Sequence, residues 1–314
     1  MGWPIVSVVT PSYNQAPFLE ETLRSVLDQD YPELEYLVVD DGSTDGSVEI
    51  IRRYEDRLAW WTAQENAGQP AAINRGMARA RGEYLAYLNS DDTLLPGAIS
   101  RMVAELEADP TLLFVYGDSV LTDEASQETG LLEARPLDMA AMVRACDCHI
   151  PQPSSLWRRR AWELAGPFNE GGYYFFDWEF FLKASGFGPG KRISVPLSTY
   201  RLHPESKSIA APLPKAREYV RLADEVFVSP SFPEYLSGAV RQGRSSAYLR
   251  AGDYFYWALE LGLARRYLFR GLALYPRNTS RRSLGLAAKS LLPRSLVERL
   301  RARRWERREA AMPA

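Results

Sequence analysis

The sequence predicts an α/β fold, a mostly parallel sheet flanked by helices, followed by a helical C-terminal region. Three observations carry that prediction. Short apolar runs alternate with helical periodicity over the first hundred residues, polar and acidic residues follow several of those runs, and from Leu213 onward helical signals take over.

In chain order, Ile5 to Val9 reads as a strand, and Leu19, Leu23, Val26 and Leu27 recur at helical spacing. Tyr36 to Val39 is apolar without polar alternation, as in a strand covered on both faces of a parallel sheet. Val48 to Tyr54 reads as a helix that Ser43, Thr44 or Asp45 could cap. Leu58 to Thr62 is a further apolar patch before the loop Glu65 to Pro70. A helix through Ala72, Ile73, Met77 and Ala80 then stops at Gly82. Tyr84 to Leu88 is a strand running into Asn89, Ser90, Asp91 and Asp92. Ile99, Met102, Val103 and Leu106 form one more amphipathic helix, closed by Asp109 and Pro110. Further on, Ala251 to Asn278 resembles a single helical-hairpin repeat of the tetratricopeptide kind, with Gly252, Ala258, Ala264, Ala273 and Pro276 at matching places. The expected organisation is an α/β domain over residues 1–210 and a helical region over 211–314.

With 314 residues, 46% hydrophobic and 25% charged, the chain has an ordinary globular composition. The net charge of -2 is unevenly placed: Arg277 to Glu309 holds eleven Lys or Arg against three Glu, a cationic tail on an acidic body. The stripe Leu296, Val297, Leu300 and Arg304 suits either a solvated helix or one lying on an anionic membrane, whereas the acidic body disfavours nucleic acid as a partner. Cys146 and Cys148 are too few for a disulfide framework, and no basic-then-apolar signal segment opens the chain. The expectation is a cytoplasmic protein, soluble or peripheral at the inner face of the membrane.

Asp41, Ser43, Asp45 and Gly46 imitate a calcium loop, but its twelfth position is Arg52, where a bidentate Glu is needed. No G-x-G-x-x-G and no phosphate loop ending in Lys-Ser or Lys-Thr is present, so phosphates must be held by other means. Three segments at strand ends remain: TPSYN (Thr10 to Asn14), DDGSTD (Asp40 to Asp45) and NSDD (Asn89 to Asp92). In an open α/β sheet, strand carboxyl ends share the edge where ligands bind. Carboxylates massed there repel one another unless a cation compensates, which argues for a divalent metal.

These three segments and NAGQPAAINRG (Asn66 to Gly76), in this order, resemble the family 2 glycosyltransferases of bacterial polysaccharide type, which have the GT-A fold and use sugar nucleotides. FDWEFF (Phe176 to Phe181) and YRLHPESKS (Tyr200 to Ser208) extend the resemblance, which covers roughly residues 4–208. It implies that Tyr13 flanks the base with Thr10 and Pro11 shaping the backbone beneath it, and that Asp40 accepts a hydrogen bond from the base imide. Asp41 and Gln69 would line the nucleotide, Asp91 would turn to the ribose, and Asp92 and His203 would ligate Mn²⁺ or Mg²⁺. Asp177 takes the position of the catalytic base. Because Phe176 stands where the family has Glu, Glu179 is a rival. Gln152 and Trp178 would face the acceptor, with Trp157, Tyr173 and Tyr174 as rings that could stack on sugars. The implied activity is inverting, metal-dependent transfer from a nucleotide-diphosphate sugar, a UDP-sugar favoured, to a saccharide or lipid-linked acceptor. The alternative is a catalytically silent nucleotide-binding scaffold.

Overall fold

The computed structural model describes residues 2–206 and 212–299 and divides the chain into two compact units, Met1–Met139 with Cys148–Ala210, and Ala140–Asp147 with Ala211–Ala314. The first unit begins with β1 (Val6–Ser12), α1 (Ala16–Leu27), β2 (Leu34–Asp40), α2 (Ser47–Arg53), β3 (Trp60–Ala63), α3 (Gln69–Met77), β4 (Tyr84–Tyr87) and α4 (Ala98–Ala108). β1 pairs in parallel with β2 and β4, and β2 with β3.

Beyond α4 the sheet stops being parallel. Next come β5 (Phe114–Thr122), β6 (Glu128–Leu132), α5 (Met139–Ala145), β7 (Ser155–Arg158), α6 (Arg159–Ala165), α7 (Phe176–Ala184) and β8 (Gly190–Arg201). β7 runs antiparallel to both β4 and β5, and β6 antiparallel to β5, while β8 lies parallel along β5. The sheet is therefore mixed: β1, β2, β3 and β4 form one parallel part, β5 and β8 pair in parallel beyond it, and β6 and β7 supply the antiparallel pairs.

α1 and α4 turn Leu19, Leu23, Val26, Ile99, Met102 and Leu106 into one core with Val6, Val8, Tyr36 and Val38 of the sheet. A second cluster is aromatic. Phe176, Phe180 and Phe181 of α7 pack with Tyr87, Trp157 and Phe168 at ring separations of 5.1 to 6.3 Å. It holds the start of α7 against the end of β4.

Two boundaries differ from expectation. β1 runs on to Ser12, because Thr10, Pro11 and Ser12 pair in register with Val38, Val39 and Asp40. α3 ends at Met77, five residues short of Gly82, since Ala78 and Ala80 close its last turn onto Asn74 and Gly76.

In the second unit, α8 (Pro212–Arg221), α9 (Ser237–Trp257), α10 (Leu261–Leu274) and α11 (Arg281–Lys289) follow. α9 and α10 are the two arms of the expected helical hairpin. Gly252 lets them touch, since a Cβ there would lie 2.5 Å from the Leu268 side chain. Residues 140–147 join this unit, which sequence alone placed wholly after residue 210. Met142, Val143 and Cys146 are buried, and Ser246 Oγ on α9 donates to the Arg144 carbonyl at 2.6 Å. Of the C-terminal stripe, Val297 is buried, while Leu300 and Arg304 lie outside the described residues, as do Lys207 and Ser208.

Candidate functional site

The loops after β1 and β2 form one piece. Asn14 adopts a left-handed backbone (φ 51°), a conformation asparagine tolerates. Its side-chain oxygen accepts from Thr44 N at 2.8 Å, and its own N–H donates to Ser43 Oγ at 2.9 Å. Asp45 accepts from Ala16 N at 2.9 Å and from Ser47 N and Oγ, so one carboxylate serves the first turns of both α1 and α2. Burial opposes the charge on Asp45, but these donors prevail and hold its carboxyl below the usual range. Sequence reading offered Asp45 as a cap and missed the cross-loop bonds, whose partners stand about thirty positions apart.

Thr10 and Pro11 are buried inside β1, and Thr10 Oγ1 is bonded to Tyr36 Oη at 2.9 Å. Their side chains are held within the strand, beneath the loop that carries Tyr13. Tyr13, just beyond them, is 49% exposed.

Asp40 and Asp41 divide into two roles. Asp41 is spent on the chain itself: it accepts from Gln64 Nε2 at 2.7 Å and from the backbone N–H groups of Ala67 and Gly68, both at 2.9 Å. It shapes the loop before α3. Asp40 Oδ1 accepts from Ser43 N at 2.9 Å and Gly42 N at 3.2 Å. Gly42 stands at φ +86°, where a Cβ would also meet Asn66 N at 3.1 Å, so glycine is required for this turn. Asp40 Oδ2 is buried and has no hydrogen-bond partner among the described residues. A buried acceptor left unmade costs about 1–3 kcal/mol, which a ligand donor would relieve.

Gln69, at the start of α3, donates to Asn89 Oδ1 at 2.6 Å, and Asn89 Nδ2 donates to Asp92 Oδ2 at 3.2 Å. Asp92 Oδ1 accepts the main-chain N–H of Arg201 at 2.9 Å. Burial first, and the like charge of Asp91 second, push the Asp92 carboxyl well above the usual carboxylate range. His203 Nε2 lies 3.1 Å from Asp91 Oδ2, which joins the imidazole to Asp91.

This donor set fits a divalent ion on chemical grounds: two carboxylates, one fully buried beside the other, and one imidazole. Among the described residues no three His, Cys, Asp or Glu side chains converge closely enough to hold an ion alone. An ion there would need substrate phosphates to complete its shell, as Mg²⁺ and Mn²⁺ commonly do.

The start of α7 reaches the same edge. Phe176, the first residue of α7, packs on Tyr87 at the end of β4 with ring centres 6.1 Å apart, and burial, then the charges of Asp177 and Asp92, push the Tyr87 hydroxyl up. Asp177 is half-buried and accepts Trp178 N at 2.8 Å. Glu179 is 7% exposed, paired with Lys183 Nζ at 3.1 Å and facing Asn169 Nδ2 at 3.4 Å. Gln152 is buried. Its Nε2 donates to the Tyr87 carbonyl at 2.7 Å, and its Oε1 has no partner among the described residues. Trp178 and Trp157, at 1% and 0% exposure, belong to the core and present no ring face to a sugar, which overturns their expected acceptor role. Tyr173, 47% exposed, keeps one.

Residues 7–162 match the family described as Glycosyl transferase family 2. The chondroitin synthase of Escherichia coli is 30% identical over 209 residues, 66% of this chain and 30% of that protein, so the chain spans under a third of that relative's length. Two solved structures share the fold. Staphylococcus aureus TarS 1–349 in complex with UDP-GlcNAc aligns with a TM-score of 0.66 at 17% identity, over 95% of this chain and 87% of that one. The mannosyltransferase PcManGT from Pyrobaculum calidifontis, in complex with GDP-Man and Mn²⁺, aligns with a TM-score of 0.60 at 22% identity, over 91% and 79%.

Proposed function

The chain belongs to glycosyl transferase family 2 and carries its GT-A fold, and from that premise we propose an inverting, metal-dependent enzyme that transfers a hexose or N-acetylhexosamine from a UDP-sugar to a saccharide or lipid-linked acceptor in polysaccharide or glycoconjugate synthesis. The observation that carries this reading is the buried, unpartnered Oδ2 of Asp40 at the carboxyl end of β2. A uracil ring offers one imide N–H to such an oxygen, and the exposed Tyr13 supplies a ring to flank it. Asp41 and Gln69 act behind this contact by shaping the loop and holding Asn89.

Asp91, Asp92 and His203 would hold the Mn²⁺ or Mg²⁺, with Asp91 shared between the ion and the ribose. When bound, the ion supplies positive charge against the diphosphate as it departs. Asp177 takes the proton from the acceptor hydroxyl. That oxygen then bonds to the anomeric carbon from the side opposite the diphosphate, so the configuration inverts. The ion pair of Glu179 with Lys183 at 3.1 Å favours Asp177 over Glu179 as the base. Gln152 would line the acceptor side through its unpartnered Oε1.

Calorimetric titration of wild type and Asp40→Ala with UDP, GDP, dTDP and CDP, with and without Mn²⁺, tests the donor side. The expected result is UDP binding that Mn²⁺ strengthens and the substitution weakens about tenfold or more, equivalent to over 1.4 kcal/mol. Binding without hydrolysis or transfer on a broad acceptor panel would instead favour a catalytically silent scaffold. Failure of every nucleotide to bind would overturn the reading.

A further inference from the structure

Arg201 ends β8, two residues before His203, and is 2% exposed. A guanidinium buried this deeply is costly unless its charge and its donors are met. Here they are. Nε donates to the Asp91 carbonyl at 2.8 Å, and Nη1 donates to Ser126 Oγ at 2.8 Å and the Asp123 carbonyl at 3.2 Å. Nη2 donates to Glu21 Oε2 at 2.6 Å. Phe18 on α1 lies under the guanidinium at 4.8 Å and packs on the His203 ring at 4.7 Å. The Arg201 main-chain N–H donates to Asp92 Oδ1 at 2.9 Å.

We propose that Arg201 is a positioning residue of the transferase site, a role that rests on the reading of Asp91, Asp92 and His203 given above. One residue grips the backbone of Asp91 and the carboxylate of Asp92. It ties both to α1 and to the turn between β5 and β6. An arginine beside two acids at a diphosphate site invites assignment as a phosphate ligand. This one has committed each nitrogen to the protein, so it acts on the reaction only through the acids it holds. The fork matters as much as the charge: three nitrogens reach in three directions from a plane, which a lysine ammonium on a flexible stem cannot do.

The test uses the full chain with Arg201→Lys, Arg201→Ala and Glu21→Gln, the last a half-exposed partner whose loss leaves the core intact. Hydrogen exchange over residues 89–93 and the Mn²⁺ concentration that half-saturates UDP binding are measured beside kcat and donor KM. Arg201→Lys is expected to fold with a lowered melting temperature, to exchange faster at residues 89–93 than elsewhere in the sheet, and to need about 10- to 100-fold more Mn²⁺. Its kcat falls more than its KM rises, and free guanidinium restores part of the loss in Arg201→Ala. If both Arg201 variants fail to fold, faster exchange at residues 89–93 in Glu21→Gln supports the proposal and unchanged exchange overturns it. A folded Arg201→Lys with wild-type exchange and wild-type Mn²⁺ dependence also overturns it. A wild type that binds neither UDP nor Mn²⁺ overturns the transferase reading, and with it the purpose assigned to Arg201.

Discussion

Asp177 and Glu179 sit two positions apart in the first turn of α7, and their partners separate what each can do. Asp177 is half-buried at the edge that holds Asp92, whereas Glu179 is buried and held by Lys183 one turn on. Asp177→Asn is expected to lower kcat by ~10²- to 10⁴-fold with little change in donor KM and no loss of melting temperature. Glu179→Gln should do the reverse, leaving kcat within a few-fold while removing about 1 kcal/mol of stability, because the partly buried Lys183 loses its partner. Steady-state kinetics and thermal melts on the two variants check both. A kcat collapse in Glu179→Gln with normal melting would exchange the roles.

Among the elements, the parallel strands are clasped at the end away from the acids. Glu35 at the start of β2 is 5% exposed. It accepts from Ser7 Oγ on β1 and from Arg81 N and Nε at 2.7 and 2.6 Å on the approach to β4. Burial pushes the Glu35 carboxyl up, yet the bonds from Arg81 and Ser7 outweigh it and hold the group below the usual value. Since the folded value lies below the unfolded one, the clasp stabilises the fold at neutral pH, and that contribution is lost as pH falls through the folded value. Glu35→Gln should therefore melt lower than wild type at pH 7 by about 1 kcal/mol of stability, and the gap should close below about pH 4. Melting curves from pH 3 to 8 test this. A gap that persists unchanged in acid would mean that the charge of Glu35 contributes nothing.

For the whole molecule, the question is where it works. Among the described residues no helix is long and apolar enough to cross a membrane. The last fifteen residues, 300–314, carry five Arg against two Glu. At ~1 kcal/mol per cation near an anionic surface, a net three would strengthen vesicle binding about 100-fold. A chain ending at Arg299 keeps every described residue and should keep its melting temperature and UDP binding, yet lose flotation with anionic vesicles. Equal flotation of both chains would remove the membrane role of this segment. The amino-acid sequence by itself determined the strand–helix repeats from β1 to α4, the acids at their carboxyl ends and the family resemblance, because local periodicity and short motifs carry that information. It left open the antiparallel half of the sheet, the capture of residues 140–147 by the helical unit, and the division of labour among the acids. Asp40 is left with an open oxygen while Asp41 is spent, Asp177 stands half-exposed while Glu179 is paired, and Arg201 holds Asp91 and Asp92 from 109 or more positions away. Hydrogen bonds and burial between residues so far apart in the chain arise only when the strands are laid side by side, and only the tertiary structure decided them.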